Sequence, residues 1–295
     1  MTVFNLGSIN VDRFYRVPHL PEPGETLPAT AHEVGLGGKG ANQSVAVARA
    51  GSPVRHIGMI GQDNSWVLDR LAGFGVDVAH IGRGAGHTGH AIINVDDAGE
   101  NAIVTFAGAN YHQSPEAIAA ALAEASAGDI FMFQNEVSDK PLAARIAREK
   151  GLFVVYSAAP FKPEVVEELM PFVDLLVLNE IEAGQLSQTL GLPVEQIPVP
   201  NLLITRGAEG ATWRDQATGE AVAVPAFRVD PVDTTGAGDC FIGYTIAGLD
   251  QGLGRAEALR LGAAASAVKV TRKGTADAIP SRADVDAFLA GTETK

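Results

Sequence analysis

GDIFMFQNEVSDKPLAARIAREKGLFVVYSAAPFKPEVVEELMPFVDLLVLN, residues 128–179, alternates short apolar runs with amphipathic stretches. Ile130–Phe133, Phe153–Tyr156 and Leu175–Leu178 each read as a buried strand bounded by polar or Gly/Pro punctuation. Lys140–Lys150 and Pro163–Met170, between them, carry helical patterns, and Leu202–Thr205 adds a further strand. Strand–helix–strand alternation of this kind predicts an α/β fold, a doubly wound, mainly parallel sheet with helices on both faces. The crossover Asn179–Asn201 is unusual: a helix runs through Leu190, and Pro193, Pro198 and Pro200 reduce anything after it to a stub.

Downstream, Ala237–Asp250 and Arg255–Val270 are long helical patterns, and a helix from Ser281 to Ala290 is capped by Ser281 with Asp284. Upstream, the first strand is Val3–Leu6, and Ala41–Ala50 is a helix. Two regions there break the rhythm. Residues 13–34 are rich in proline and β-formers, and Thr88–Val95 and Asn101–Ala107 read as a hairpin joined by Asp96-Asp97-Ala98-Gly99-Glu100. These interruptions, about 13–34 and 88–107, predict a small β-sheet lid standing on a single domain that spans residues 1–295.

Hydrophobic residues make up 46% of the 295 and charged residues 19%, enough to bury a large core. A formal charge of −13 argues against a nucleic-acid partner, which would require a basic face. It leaves an anionic ligand open, because a helix N-terminus binds phosphate without Lys or Arg. With one cysteine, Cys240, there is neither a disulfide framework nor a multi-cysteine zinc site. No apolar run approaches the roughly 20 residues of a membrane helix, and the N-terminus lacks a basic leader. No membrane partner and a cytoplasmic location are expected.

Glycine clusters mark the chemistry. Gly35-Leu36-Gly37-Gly38-Lys39-Gly40 has G-x-G-x-x-G spacing, but it lies far from the first strand, which defeats a dinucleotide reading. No Ser or Thr follows Lys39, so it is not a Walker loop either. What remains is amides at a helix start beside Lys39 and Asn42, suited to hydroxyls or phosphate; a plain loop-to-helix turn would give the same string. In Asp233-Thr234-Thr235-Gly236-Ala237-Gly238-Asp239, the glycines before a helix let backbone N–H groups converge into an anion pocket. Asp239 beside a bound phosphate is repelled by it unless the carboxylate has chemistry to do, such as taking the proton of an attacking hydroxyl. Thr205-Arg206-Gly207-Ala208-Glu209-Gly210 closes a strand at the edge where open α/β sheets bind ligands. Asn179 and Glu182 fall on the same edge and share a helix face. Together they suit a water-bridged Mg²⁺, and they suit helix capping equally. His87 and His90 lack a nearby third ligand and read as surface loop; Asp96, Asp97 and Glu100 read as a solvated turn. Cys240, with no activating partner in the sequence, reads as a packed side chain.

Assembled, these residues resemble the ribokinase-like (PfkB-type) carbohydrate kinases from Leu6 to about Leu289. Gly37-Gly38-Lys39-Gly40-Ala41-Asn42-Gln43 matches the first family signature and Asp233 through Asp239 the second, with Asn179-x-x-Glu182 between. Leu6-Gly7-Ser8-Ile9-Asn10-Val11-Asp12 and Val270-Thr271-Arg272-Lys273-Gly274 are similar to the ribokinase branch. The resemblance implies ATP-dependent phosphorylation of a sugar hydroxyl, D-ribose at O5 foremost. Another furanose or a nucleoside is the nearest alternative, and a non-catalytic sugar- or nucleotide-binding protein is the alternative of another class. It implies Asp239 as base, with Gly236, Ala237 and Gly238 at the transferring phosphoryl group. It implies sugar contacts from Asn10, Asp12, Gly38, Lys39, Gly40, Ala41, Asn42 and Glu136. ATP contacts would come from Asn179, the Thr205, Arg206, Gly207, Ala208, Glu209 and Gly210 loop, Gly238 and the position of Ala263. It further implies Mg²⁺ held through water by Asn179 and Glu182. A monovalent cation, K⁺, would be caged by Asp233, Thr235 and the carbonyls of Lys269, Arg272 and Gly274. A homodimer through the lid follows from the same resemblance and from the apolar alternation of 90–95. The chain departs from the family pattern at Ser157-Ala158-Ala159-Pro160, at Ala263, at Ala278 and in its shorter 179–201 crossover.

Overall fold

The computed structural model of the chain describes residues 1–292, so the end of the expected 1–295 span lies outside the described residues. In chain order the strands are β1 (Val3–Leu6), β2 (Asn10–Arg16), β3 (Ala31–Gly37), β4 (Val54–Ile60), β5 (Ile81–Arg83), β6 (Gly89–Val95) and β7 (Asn101–Phe106). They continue with β8 (Ile130–Phe133), β9 (Phe153–Ser157), β10 (Leu175–Asn179), β11 (Asn201–Thr205), β12 (Ala211–Asp215) and β13 (Ala221–Val224). The helices are α1 (Lys39–Arg49), α2 (Trp66–Gly73), α3 (Pro115–Ala123), α4 (Lys140–Glu149), α5 (Pro163–Leu169), α6 (Glu180–Leu190), α7 (Ala237–Asp250), α8 (Arg255–Val270) and α9 (Arg282–Thr292).

The main sheet has nine strands in the order β13-β12-β11-β10-β9-β8-β1-β4-β5. It is parallel from β11 to β5, with the antiparallel β12–β13 hairpin closing one edge. Both faces are covered, and the period-2 alternation of each strand divides its side chains between them. Val3, Ile130, Met132, Val155, Val177 and Leu203 pack toward α1, α7 and α8. Phe4, Leu6, Phe131, Phe133, Val154, Leu176 and Leu202 pack toward α3, α4, α5 and α6. Each such fully buried side chain contributes about 1.5–3 kcal/mol relative to exposure. The apolar runs bounding 128–179 are therefore continuous because both of their faces are inside.

Expected and observed elements coincide along most of the chain. The 179–201 crossover holds α6 and then a 3₁₀ turn, Val194–Gln196, the stub that its prolines allow. Ser281 and Asp284 cap the last helix reciprocally, at 2.9 and 3.2 Å. The β12–β13 hairpin has no counterpart in the strand–helix alternation and was not expected.

The smaller sheet has the order β3-β2-β6-β7. Its strands lie at 10–16, 31–37, 89–95 and 101–106, so the first interruption begins at Asn10, before the expected 13, and its middle is loop. Because β2 starts just beyond the end of β1, its first residues stand over the carboxyl edge of the main sheet. One face of this sheet carries Asn10, Asp12, Ala91 and Ile93, all buried. The other carries Val34, Ile92, Val104 and Phe106, at 47%, 37%, 67% and 50% exposure.

Candidate active site

The carboxyl ends of β1, β8, β9, β10 and β11 open onto one cleft edge, where ligands of open α/β sheets bind. α1 begins there. Gly40 sits so close to β1 that a Cβ on it would stand 2.4 Å from the Gly7 Cα, so only glycine brings the start of α1 onto the strand. α7 begins opposite, preceded by Gly236 in the left-handed conformation (φ 72°). No side chain caps α7; the Ala237 N–H donates to the Thr234 carbonyl at 3.1 Å, and the amides of Gly238 and Asp239 have no capping side chain.

Asp239, in that first turn, is 8% exposed. Its Oδ2 accepts from Asn42 Nδ2 at 3.0 Å and its Oδ1 from Gln43 Nε2 at 3.0 Å. The Oδ1 of Asn42 is buried without a partner, an acceptor waiting for a hydroxyl. Lys39, the first residue of α1, is held protonated chiefly by Asp239, against the opposing pull of burial, with Glu136 and Glu182 adding to it. Glu136, just beyond β8, accepts from the Ser8 hydroxyl and from the Lys39 backbone N–H at 3.3 Å. From the small sheet, Asn10 accepts from Asn110 Nδ2 at 2.8 Å, and Asp12 accepts from Thr275 Oγ1 at 3.2 Å. Burial pushes the Asp12 carboxyl up to about 7; the Thr275 hydroxyl opposes this, and Glu136 and Asp239 add to it. The expected base and the expected sugar contacts Asn10, Asp12, Lys39, Asn42 and Glu136 thus share one pocket, with Gly38 and Ala41 on the α1 turn beside them.

Along the same edge, Asn179 and Glu182 cap α6 reciprocally. Asn179 Oδ1 accepts from the Glu182 N–H and Glu182 Oε2 from the Asn179 N–H, both at 2.8 Å. Burial raises the Glu182 carboxyl, while the Asn179 N–H and Lys39 oppose it. In the loop after β11, Arg206 is tied to Glu180 at 3.3 Å and to Thr212 at 2.6 Å. Gly207, Ala208 and Glu209 form a 3₁₀ turn ending at Gly210. Ala263 is 7% exposed and belongs to the core beneath α8, so it offers the cleft at most a methyl edge.

The Asp233 loop and the end of α8 are joined. Val270 O accepts from the N–H of Val232 and of Asp233, and Asp233 Oδ2 accepts from Gly274 N–H at 2.9 Å. Although burial opposes it, the Gly274 and Thr235 N–H groups, the Thr235 hydroxyl and Lys269 hold the Asp233 carboxyl below its usual range. The Lys269 ammonium already donates to the Asp233 carbonyl at 2.9 Å, the Lys269 carbonyl is taken by Arg272 N–H, and Ala278 offers no side-chain oxygen.

His87 and His90 join no metal cluster among the described residues; His87 pairs with Asp63 at 3.0 Å. Cys240 is fully buried, and burial pushes its thiol up. Four contributors escaped sequence reasoning: Ser8, Gln43, Asn110 and Thr275. Gln43 stood within the quoted motif with no role. Asn110 and Thr275 carried no local signal, because their partners lie 100 and 263 residues away.

Comparison with known proteins agrees with this geometry. The profile described as pfkB family carbohydrate kinase matches residues 2–282. A ribokinase of Haemophilus influenzae is 36% identical over 306 aligned positions, covering 98% of this chain and 98% of its own. The crystal structure of a ribokinase from Thermotoga maritima superimposes with a TM-score of 0.89 at 34% identity, covering 98% and 99%. The structure of Arabidopsis thaliana ribokinase complexed with ribose and ATP gives a TM-score of 0.84 at 27% identity, covering 97% and 98%. With both motifs, the sheet order and the Asp239 pocket in agreement, the chain belongs to the pfkB family of carbohydrate kinases.

Proposed function

We propose that the chain transfers the γ-phosphoryl group of ATP to the 5-hydroxyl of D-ribose, with Asp239 as the general base. The observation that carries this reading is Asp239 itself: a nearly buried carboxylate at an uncapped helix N-terminus, across from Lys39 and beside the unpaired Oδ1 of Asn42. Ribokinases aligning over nearly the whole chain, one of them complexed with ribose and ATP, support the choice of substrates.

In this reading Asn10, Asp12, Lys39, Asn42 and Glu136 orient the sugar by its hydroxyls, and the small sheet closes over it as a lid that excludes water. Asp239 takes the proton of the 5-hydroxyl as that oxygen bonds to the γ-phosphorus. The bond from phosphorus to the β,γ-bridging oxygen breaks, and ADP leaves with the electron pair. The amides of Gly236, Ala237 and Gly238 stabilise charge on the phosphoryl group in flight. The Thr205–Gly210 loop, Asn179 and the α8 face near Ala263 hold the nucleotide. Glu182, whose second oxygen is not used in the cap, fits a hydrated Mg²⁺ together with Asn179; that ion neutralises phosphate charge when bound. Asp233, Thr235 and the Lys269, Arg272 and Gly274 carbonyls would hold a monovalent cation, K⁺, that braces the loop entering α7, although the Lys269 carbonyl now accepts from Arg272 N–H. Residues 1–295 then act as one kinase unit in the cytoplasm, paired with a second copy through the lid, with neither nucleic acid nor membrane as partner. Among the described residues no helix is long and apolar enough to cross a membrane.

A coupled ADP-release assay over ribose, deoxyribose, ketohexoses and nucleosides tests the reading. Ribose giving the highest kcat/KM is the expected outcome. A higher value for another furanose or a nucleoside reassigns the substrate, and no ADP release with any of them makes the protein a binder rather than a kinase.

A further inference from the structure

Behind Asp239 lies a run of polar side chains that the phosphoryl-transfer chemistry does not use. Asn5, Gln43, Ser44, His56 and Gln134 are each 0% exposed, between α1 and the ends of β1, β4 and β8. Buried amides cost about 1–3 kcal/mol each when unpaired, so such a row persists only if its donors and acceptors match.

One assignment pairs all of them except Gln134 Oε1, which is buried without a partner. The His56 ring faces the Gly7 carbonyl through Nε2 at 3.1 Å, and since a carbonyl only accepts, Nε2 carries the proton. Burial pulls His56 down to about 4, so the ring is neutral at pH 7 and Nδ1 is a bare acceptor. Ser44 therefore donates its O–H to Nδ1 at 2.8 Å, and its Oγ accepts from Asn5 Nδ2 at 2.8 Å. The second Asn5 N–H goes to the Gly40 carbonyl, which turns Asn5 Oδ1 toward Gln134 Nε2 at 2.9 Å. Gln134 spends its other N–H on Gln43 Oε1 at 2.8 Å. With its oxygen so occupied, Gln43 presents only N–H groups, to Asp239 Oδ1 at 3.0 Å and Ser157 Oγ at 3.4 Å. Turned over, the Gln43 amide would set an oxygen against the Asp239 carboxylate.

We propose that Gln43 is a positioning residue for the base Asp239, and that its amide is locked in the donating orientation by the relay Gln134–Asn5–Ser44–His56. The proposal rests on the reading of Asp239 as base. Asn42 holds the other carboxylate oxygen but also faces the sugar, whereas Gln43 is sealed from the cleft, so its effect on the chemistry passes through Asp239. Fixing both oxygens aims a carboxylate lone pair at the incoming hydroxyl and leaves sugar binding untouched.

The test is a double-mutant cycle in the full chain, with ribose and ATP, using Gln43→Met, Gln134→Met and both together, beside Asp239→Asn. Gln43→Met should lower kcat by about 10- to 100-fold, the worth of one hydrogen bond to a charged group, with the KM for ribose within about twofold of wild type. Gln134→Met should lower kcat by a smaller factor, and the double variant should be no worse than Gln43→Met alone, because the Gln134 bond that reaches the base runs through Gln43. If Gln134→Met does not fold by circular dichroism, Ser44→Ala, which cuts the link to His56, takes its place in the cycle. Losses that multiply, a Gln43→Met enzyme with wild-type kcat, or an effect confined to KM overturns the relay while Asp239→Asn stays inactive. Near-normal turnover in Asp239→Asn would instead remove the base, and the relay with it.

Discussion

Beneath Asp239 the chain buries Asn5, Gln43, Ser44, His56 and Gln134 completely, whereas the outer face of the small sheet leaves Val34, Ile92, Val104 and Phe106 in the open. The usual sorting of polar and apolar residues is inverted in both places, for different reasons. The floor lies between α1, the start of α7 and strands β1, β4 and β8, so its polar groups, Gln134 Oε1 excepted, pair with one another and are held rigid. The lid has four strands, and apart from Ile103, 50% exposed, its exposed apolar side chains gather on one face. A sheet that small cannot bury both faces, and its apolar outer side calls for a partner. Rigid positioning belongs to the floor, and the proposed closure and pairing belong to the lid.

The floor breaks most severely at the base. Asp239→Asn should keep the fold and the KM for sugar but lower kcat by about 10²–10⁴. A folded variant with near-normal turnover would remove Asp239 from the chemistry.

Next comes proton linkage, where floor and lid oppose each other. Burial lowers His56 from its ordinary 6.5 to about 4, so its contribution to stability is full above pH 6.5 and is lost as pH falls through 4. Burial raises Asp12 from 3.8 to about 7, so its contribution is full below pH 3.8 and is lost as pH rises through 7. Between those limits the shifts offset each other in the sugar-free enzyme. Asp12→Asn removes the lid's share, and on going from pH 7.5 to 4 it should lose about 3 kcal/mol more stability than wild type, read from urea midpoints. Parallel pH curves for the two proteins would mean that Asp12 ionises normally.

At the lid, Val104→Glu changes a residue that is 67% exposed and leaves the protomer intact. Sedimentation equilibrium should give a dimer for wild type and a monomer for the variant, with kcat within about twofold. The expected alternation at 90–95 is present, but the uncovered face is that of Ile92, not of Ile93, which is 4% exposed, so the charge belongs at Val104. A fully active monomeric wild type would sink the pairing.

The smallest effect concerns the cation. Activity should rise about two- to fivefold in K⁺ over Na⁺ at equal ionic strength, because the Lys269 ammonium already brings a positive charge to the Asp233 loop. Equal rates would mean that the cage does not discriminate.

Much of this molecule could be read without coordinates. Ile130–Phe133 and Leu175–Leu178 announce buried strands because periodicity and Gly/Pro punctuation are local properties of the chain. The motif 233–239 announces a glycine-led helix start because glycine geometry needs no distant partner. The β12–β13 hairpin was missed, since antiparallel closure of an edge leaves no trace in a strand–helix rhythm.

By itself, then, the sequence determined the layered α/β architecture and the two glycine-led helix starts, and it singled out Asp239 as the candidate base. Only the tertiary structure decided that Gln43, 196 residues from Asp239, holds one of its oxygens, that Asn110 orients Asn10, and which lid face stands uncovered. The physical reason is reach. Backbone propensity and turn chemistry act over a few residues, whereas a hydrogen-bond partner or a buried face exists only once distant segments have packed against each other.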